Sequence, residues 1–152
     1  MLKMNRKVEY ALIALKCLSD NPGKKISARE ICDEFHIPFD TTSKVMQILN
    51  NHGILKSEKG IKGGYIILKS LYEMSFSELV KIIEGKDEFG PNCSSPTQNC
   101  ELITTCNISG PISNLNNMIF QFLSDLTVGD LLHGNKLSDR LLKNQKMMVS
   151  AL

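Results

Sequence analysis

Residues 27–68 read SAREICDEFHIPFDTTSKVMQILNNHGILKSEKGIKGGYIIL, and this stretch decides the fold. It opens on Ser27-Ala28-Arg29-Glu30, a capping box. The Ser27 hydroxyl can accept a backbone N–H of the first turn while Glu30 reaches back to the backbone of Ser27. Ile31 and Phe35 then supply the buried side of a short helix. His36-Ile37-Pro38-Phe39 is a turn. Asp40 or Thr41 comes next as the cap of a further helix, which runs to about Asn51 with Val45, Ile48 and Leu49 facing inward. Gly53 stands where a helix commonly stops. Two helices joined by a turn of about four residues have the spacing of a helix-turn-helix.

Residues 54–68 have the pattern of a wing. Ile54-Leu55-Lys56-Ser57 and Tyr65-Ile66-Ile67-Leu68 are short apolar strands. Between them lies Glu58-Lys59-Gly60-Ile61-Lys62-Gly63-Gly64, a glycine-rich hairpin tip with two lysines. Such a tip can approach a phosphate backbone or enter a minor groove. Upstream, Val8, Ala11, Leu12, Leu15 and Leu18 recur three or four apart over Asn5–Leu18, and Asn21-Pro22-Gly23 stops that helix. The expected recognition helix exposes Thr41, Thr42, Ser43, Lys44 and Gln47, residue types suited to base edges and phosphates. Together with Lys59 and Lys62 of the wing they are the candidate contacts to a double-stranded DNA operator. His52 is read as a partner for the helix dipole.

Charge is divided along the chain in the same sense. Residues 1–70 hold 12 lysines and arginines against 7 acids, and residues 71–152 hold 6 against 9. A basic first half favours an anionic partner there.

The second half has a different texture. Ser75-Phe76-Ser77-Glu78 is a second capping box, continued by Leu79, Val80 and Ile83 at helical spacing and closed by Gly85. Residues 86–110 are rich in Asn, Ser, Pro, Gly and Thr, yet hold three of the five cysteines: Cys93, Cys100 and Cys106, spaced C-x6-C-x5-C. Packing does not explain cysteines in a polar loop, whereas ligation of an iron–sulfur cluster or zinc does. The spacing is not that of a C-x2-C zinc knuckle. Cys17 and Cys32 fall within helices and are read as small packing residues. After Pro111, the residues Ile112, Leu115, Ile119, Phe122, Leu123 and Leu126 mark a long amphipathic helix, expected to be a dimer seam.

The fold expected is therefore mainly α: a winged helix-turn-helix over 1–85, a cysteine-rich cluster-binding loop over 86–110, a dimerisation helix over 111–133 and a tail over 134–152. No apolar run is long enough for a transmembrane helix, and the charged N-terminus lacks a signal-peptide core, so a cytoplasmic, non-membrane protein is expected. In that compartment the cysteines should be reduced thiols or metal ligands. No catalytic residues emerge. His36, His52 and His133 are dispersed, and there is no P-loop or dinucleotide fingerprint.

These pieces resemble one family, the Rrf-two bacterial regulators, over roughly residues 4–132. The likeness rests on Glu9-Tyr10-Ala11-Leu12, on Ile26-Ser27 through Glu30-Ile31, on Ile37-Pro38 and on Gly63-Gly64-Tyr65. The three-cysteine loop and Thr127-Val128-Gly129-Asp130-Leu131-Leu132 complete it. The family includes the iron–sulfur assembly regulator, a nitric-oxide-sensing repressor, iron-responsive repressors and a cluster-free cysteine-metabolism regulator. The resemblance implies a homodimer with crossing long helices, and a 2Fe-2S or 4Fe-4S cluster on Cys93, Cys100 and Cys106. In the assembly regulator the fourth ligand is a histidine three residues beyond the last cysteine, where this chain has Ser109. In nitric-oxide-sensing members a carboxylate of the partner's first helix completes the site, and the matching residue is Glu9. The chain departs from the pattern in three further places. Its first cysteine interval has six residues where many members have five, Ser43 replaces a glutamate that tunes operator choice, and Lys59 replaces a wing arginine. Lysine keeps the charge and loses the planar fork.

The function expected is transcription regulation by a cluster sensing nitric oxide, oxygen or iron and redox status. The alternatives are a metal-free thiol-redox regulator and a zinc-stabilised winged helix that binds protein. Iron content separates the first, and salt-dependent operator binding the second.

Overall fold

A computed structural model describes residues 4–60, 63–85 and 105–134. Helix α1 (Arg6–Asp20) starts where Asn5 Oδ1 accepts the Lys7 N–H at 3.0 Å. Val8, Ala11, Ala14, Leu15, Cys17 and Leu18 form its buried face. The helix ends as the Asn21 side-chain amide donates to the Cys17 carbonyl at 2.8 Å, ahead of Pro22.

Helix α2 (Ala28–Phe35) carries the expected capping box in full. The Glu30 N–H donates to Ser27 Oγ at 3.2 Å, and the Ser27 N–H donates to Glu30 Oε2 at 2.7 Å. Ala28, Ile31 and Cys32 are buried, but Phe35 is 42% exposed, contrary to expectation. The helix stops at Phe35, where His36 turns left-handed (φ 53°), and its last turn stays open to solvent.

Helix α3 (Phe39–Asn51) begins earlier than the sequence implies, and neither Asp40 nor Thr41 caps it. Pro38 occupies the cap position without a side-chain bond. Its carbonyl accepts both the Thr42 N–H at 3.1 Å and the Thr42 hydroxyl at 2.8 Å. Thr42, Val45, Met46 and Leu49 then form the inward face.

Strands β1 (Leu55–Glu58) and β2 (Gly64–Ile67) pair antiparallel, with Leu55 opposite Ile67 and Glu58 opposite Gly64. A 3-10 turn (Leu71–Glu73) leads to α4 (Phe76–Glu84). Only half of the second capping box forms: the Glu78 N–H donates to Ser75 Oγ at 3.1 Å, while the Glu78 carboxylate takes Lys69 at 3.2 Å. Gly85 closes α4 with φ 67°.

The segment 111–133, expected as one dimerisation helix, is two helices: α5 (Ser109–Asp125) and α6 (Val128–His133). The break is built from backbone. The Phe76 N–H donates to the Leu126 carbonyl at 2.7 Å and the Val128 N–H to the Met74 carbonyl at 2.9 Å. Thr127 then caps α6, accepting the Asp130 N–H at 3.0 Å. These bonds fold α6 back onto the 3-10 turn.

Among the described residues one core gathers Leu15, Ile31, Met46, Leu49, Ile54, Leu55, Met74, Leu79 and Val128, all essentially inaccessible. Each such side chain contributes about 1.5–3 kcal/mol relative to exposure. Helix α3 is held against α1 and α2, so its outer face is presented on a rigid base.

Candidate nucleic-acid interface and cysteine segment

On the outer face of α3, Lys44 and Gln47 are exposed, and Thr41 and Ser43 are half-buried. Thr42 is fully buried and bonded to Pro38, so it is removed from the candidate contacts. Its place in the 42-45-46-49 row turns it to the core. Lys59 is exposed at the hairpin tip, and Lys62 lies outside the described residues.

Three contacts hold the hairpin relative to α3. Asn50 Oδ1, in the last turn of α3, accepts the Ser57 N–H of β1 at 2.8 Å. Ile26 and Tyr65 exchange a pair of backbone bonds at 3.2 and 2.9 Å, giving β2 a second neighbour. Lys25 pairs with Glu58 at the end of β1, which lowers the Glu58 carboxyl below its ordinary range. Gly64 makes the second contact possible. A Cβ there would sit 2.8 Å from the Ile26 carbonyl carbon and 2.9 Å from its nitrogen.

Sequence reading missed Asn50, and also a pair at the start of α3. Phe39, the first residue of that helix, is 37% exposed, and the Arg29 guanidinium lies 4.2 Å over its ring. The visible signal is a phenylalanine directly after Pro38, which in sequence reads only as part of the turn.

Of the cysteine segment, Cys106 is half-buried and stands just before α5, while Cys93 and Cys100 lie outside the described residues. Ser109, in the first turn of α5, donates its hydroxyl to the Cys106 carbonyl at 3.3 Å. Glu9 projects from the first turn of α1, its side chain 35% exposed and paired with Arg6 at 2.7 Å. Cys17 and Cys32 are buried. Burial, and secondarily the Glu34 carboxylate, raises the Cys17 thiol pKa and keeps that thiol neutral.

Helix α5 is amphipathic, and its apolar side is only partly covered. None of its residues is buried, and Leu115, Met118 and Phe120 are 49%, 50% and 45% exposed. Its C-terminal end is anchored, through Leu123 on the core and a Ser124–Ser77 hydroxyl bond of 3.1 Å.

Residues 4–134 match the Rrf2 family, described as an iron-dependent transcriptional regulator. The chain belongs to the Rrf2 family of transcription regulators. Among its relatives is the HTH-type transcriptional regulator NsrR of Shouchella clausii, 27% identical over 131 residues, covering 86% of this chain and 88% of that one. Among solved structures, CymR, the global cysteine regulator of B. subtilis, superposes with a TM-score of 0.66 at 19% identity. That match covers 87% of this chain and 97% of CymR. IscR of T. potens gives 0.64 at 20% identity, covering 86% of each chain. These two likenesses concern the winged-helix fold. Among the described residues, no helix is long and apolar enough to cross a membrane.

Proposed function

We propose that this Rrf2 regulator binds a DNA operator as a homodimer and that an iron–sulfur cluster on Cys93, Cys100 and Cys106 controls the binding. The observation that carries the DNA reading is the joint placement of α3 and the wing. Lys44 and Gln47 are exposed on a helix that Asn50 ties to the hairpin bearing Lys59. A recognition helix enters the major groove while the basic tip tracks the adjacent backbone or minor groove. The uncovered part of the apolar face of α5 supports pairing with a second copy, which matches a twofold operator.

The donor set fits an iron–sulfur cluster: thiolates with a carboxylate are ligands for iron, and Ser109 is engaged with the Cys106 backbone rather than offering a histidine nitrogen. When bound, the cluster supplies a group reactive toward nitric oxide, oxygen and reductants. The three cysteines would hold it, and Glu9 of the partner subunit would complete the site by giving up its exposed pair with Arg6. That exchange costs little, because an exposed pair contributes about 0–1 kcal/mol. Helix α1 packs on α3, so a tie at Glu9 bears on the position of the recognition helix.

The test is anaerobic purification with measurement of iron, sulfide and visible absorption. The expected result is a coloured protein whose bands are lost in Cys106→Ala and altered in Glu9→Ala, with operator affinity changing in parallel. A protein that stays colourless and iron-free after reconstitution rejects the cluster and leaves the metal-free thiol regulator. Absent or salt-insensitive DNA binding rejects the operator reading.

A further inference from the structure

A cavity of about 390 Å³ lies where the end of α1, the turn after it, β2, the 3-10 turn and α6 meet. None of Lys44, Gln47, Lys59 or Cys106 lines it. Its size is within the range of about 300–1,000 Å³ typical of small-molecule sites. Leu18, Ile67 and Leu71 contribute apolar lining. Tyr72 and His133 line it together as a stacked pair, with ring centroids 6.2 Å apart and planes 27° from parallel.

Contacts among the lining residues hold the walls in place. Ser19 donates its one hydroxyl hydrogen to the Lys16 carbonyl at 2.9 Å, so its 3.3 Å contact with His133 Nε2 requires the ring nitrogen to donate. That fixes the imidazole. Tyr72 is set against Gly129, where even a Cβ would come within 2.6 Å of its ring. The opposite rim is a turn over Asn21-Pro22-Gly23-Lys24, closed by the Lys24 N–H on the Asn21 carbonyl at 3.1 Å. Proline at its second position and a positive-φ glycine (78°) at its third are the residues that suit a type II turn. The turn places Lys24 at the cavity, and among the described residues Lys24 forms no ion pair.

We propose that this cavity is a binding site for a small aromatic carboxylate, its ring stacked on the Tyr72–His133 wall and its carboxylate on Lys24. Lys24 acts at longer range on the Glu30 carboxylate but is bonded to no acid among the described residues, and an apolar interior with such a cation at its rim favours an amphipathic anion over either an apolar molecule or an inorganic ion. Occupancy would brace β2 of the hairpin against α6. The proposal is independent of the operator and cluster readings, and it is tested on the full chain without DNA.

The chain contains no tryptophan, so the fluorescence of indole-3-acetate can be measured without an indole background from the protein. Its polarisation should rise saturably with protein, with half-saturation at or below ~0.1 mM. Lys24→Gln should weaken binding about tenfold, the loss expected for one charge-assisted hydrogen bond. 3-Methylindole, which lacks the carboxylate, should bind more weakly and be indifferent to Lys24→Gln. Ser70→Phe, at an exposed lining position, should fill the space and abolish binding. Absence of a saturable rise up to ~1 mM protein overturns the proposal. So does binding that neither Lys24→Gln nor Ser70→Phe diminishes.

Discussion

Gly64→Ala tests how the wing is held. The added Cβ would meet three backbone atoms of Ile26 at 2.8–3.0 Å, and backbone cannot rotate aside as a side-chain end can. Relief requires β2 to move away from Ile26 by roughly half an ångström, judged against ordinary van der Waals contact. The two bonds between Ile26 and Tyr65, at 2.9 and 3.2 Å, lie in the same place and would lengthen together. At about 0.5–1.5 kcal/mol each, their loss costs about 1–3 kcal/mol. For a chain of this length that is a fall in Tm on the order of 5 °C. The same displacement carries the hairpin tip and Lys59 away from their place beside α3. Operator affinity should fall about tenfold, the value of one charge-assisted contact to phosphate. Gly110→Ala is the control, because a Cβ at Gly110 meets nothing within 4 Å and its φ is not positive. Thermal melts of both variants and titration against an operator selected in vitro provide the measurements. If Gly64→Ala melts with the parent and binds DNA equally well, the close approach to Ile26 does not set the wing.

Other expectations rest on single contacts. The Ser27 N–H and hydroxyl hold the Glu30 carboxyl below its ordinary value of 4.5, so the box contributes fully above that value and is lost as pH falls through the lower folded one. Urea midpoints between pH 5 and 3 should therefore fall less steeply in Glu30→Gln, which keeps an acceptor at this position, and an identical slope rejects the assignment. Lys44→Ala and Lys59→Ala should each reduce the slope of log affinity against log salt by about one, while leaving sequence preference intact. Thr42→Val should leave the operator affinity of the folded protein unchanged and lower stability by about 1 kcal/mol, through loss of the bond to Pro38. A large affinity loss would return Thr42 to the DNA surface. Leu115→Glu should convert a dimer into a monomer in light scattering, because it places a charge in the uncovered part of the apolar face of α5.

The parts of the fold legible in sequence were those specified by neighbours in the chain. The Ser27–Glu30 box, the stop at Gly85 and the glycine-rich hairpin each depend on residues within a few positions of one another; the first two stand where expected, and the hairpin's strands, expected at 54–57 and 65–68, form one residue nearer its tip, at Leu55–Glu58 and Gly64–Ile67. The errors came where a distant segment intervened. Glu78 had the spacing to complete its box, but Lys69 takes its carboxylate. The apolar period through residues 111–133 continues across Leu126, yet Met74 and Phe76 supply backbone partners that divide it. Hydrophobic period records which side of a segment is apolar, not whether one helix or two present it.

The same distinction separates what was legible at the candidate interface from what was not. Lys44, Gln47 and Lys59 are polar residues on an outer face, and composition alone places them there. Thr42 is also polar, but its hydroxyl can satisfy itself on the carbonyl four residues earlier, so it enters the core at little cost. Phe39 presents the converse case. It is apolar, yet the Arg29 guanidinium over its ring gives it a partner at the surface and removes the need for burial. Asn50 carries no signal in its own neighbourhood, because its partner, the Ser57 N–H, becomes available only once the hairpin has turned back beside α3. That bond joins the two elements a winged helix must present together, so the relation between α3 and the wing is specified in part by a residue to which neither the helix pattern nor the wing pattern gives a role.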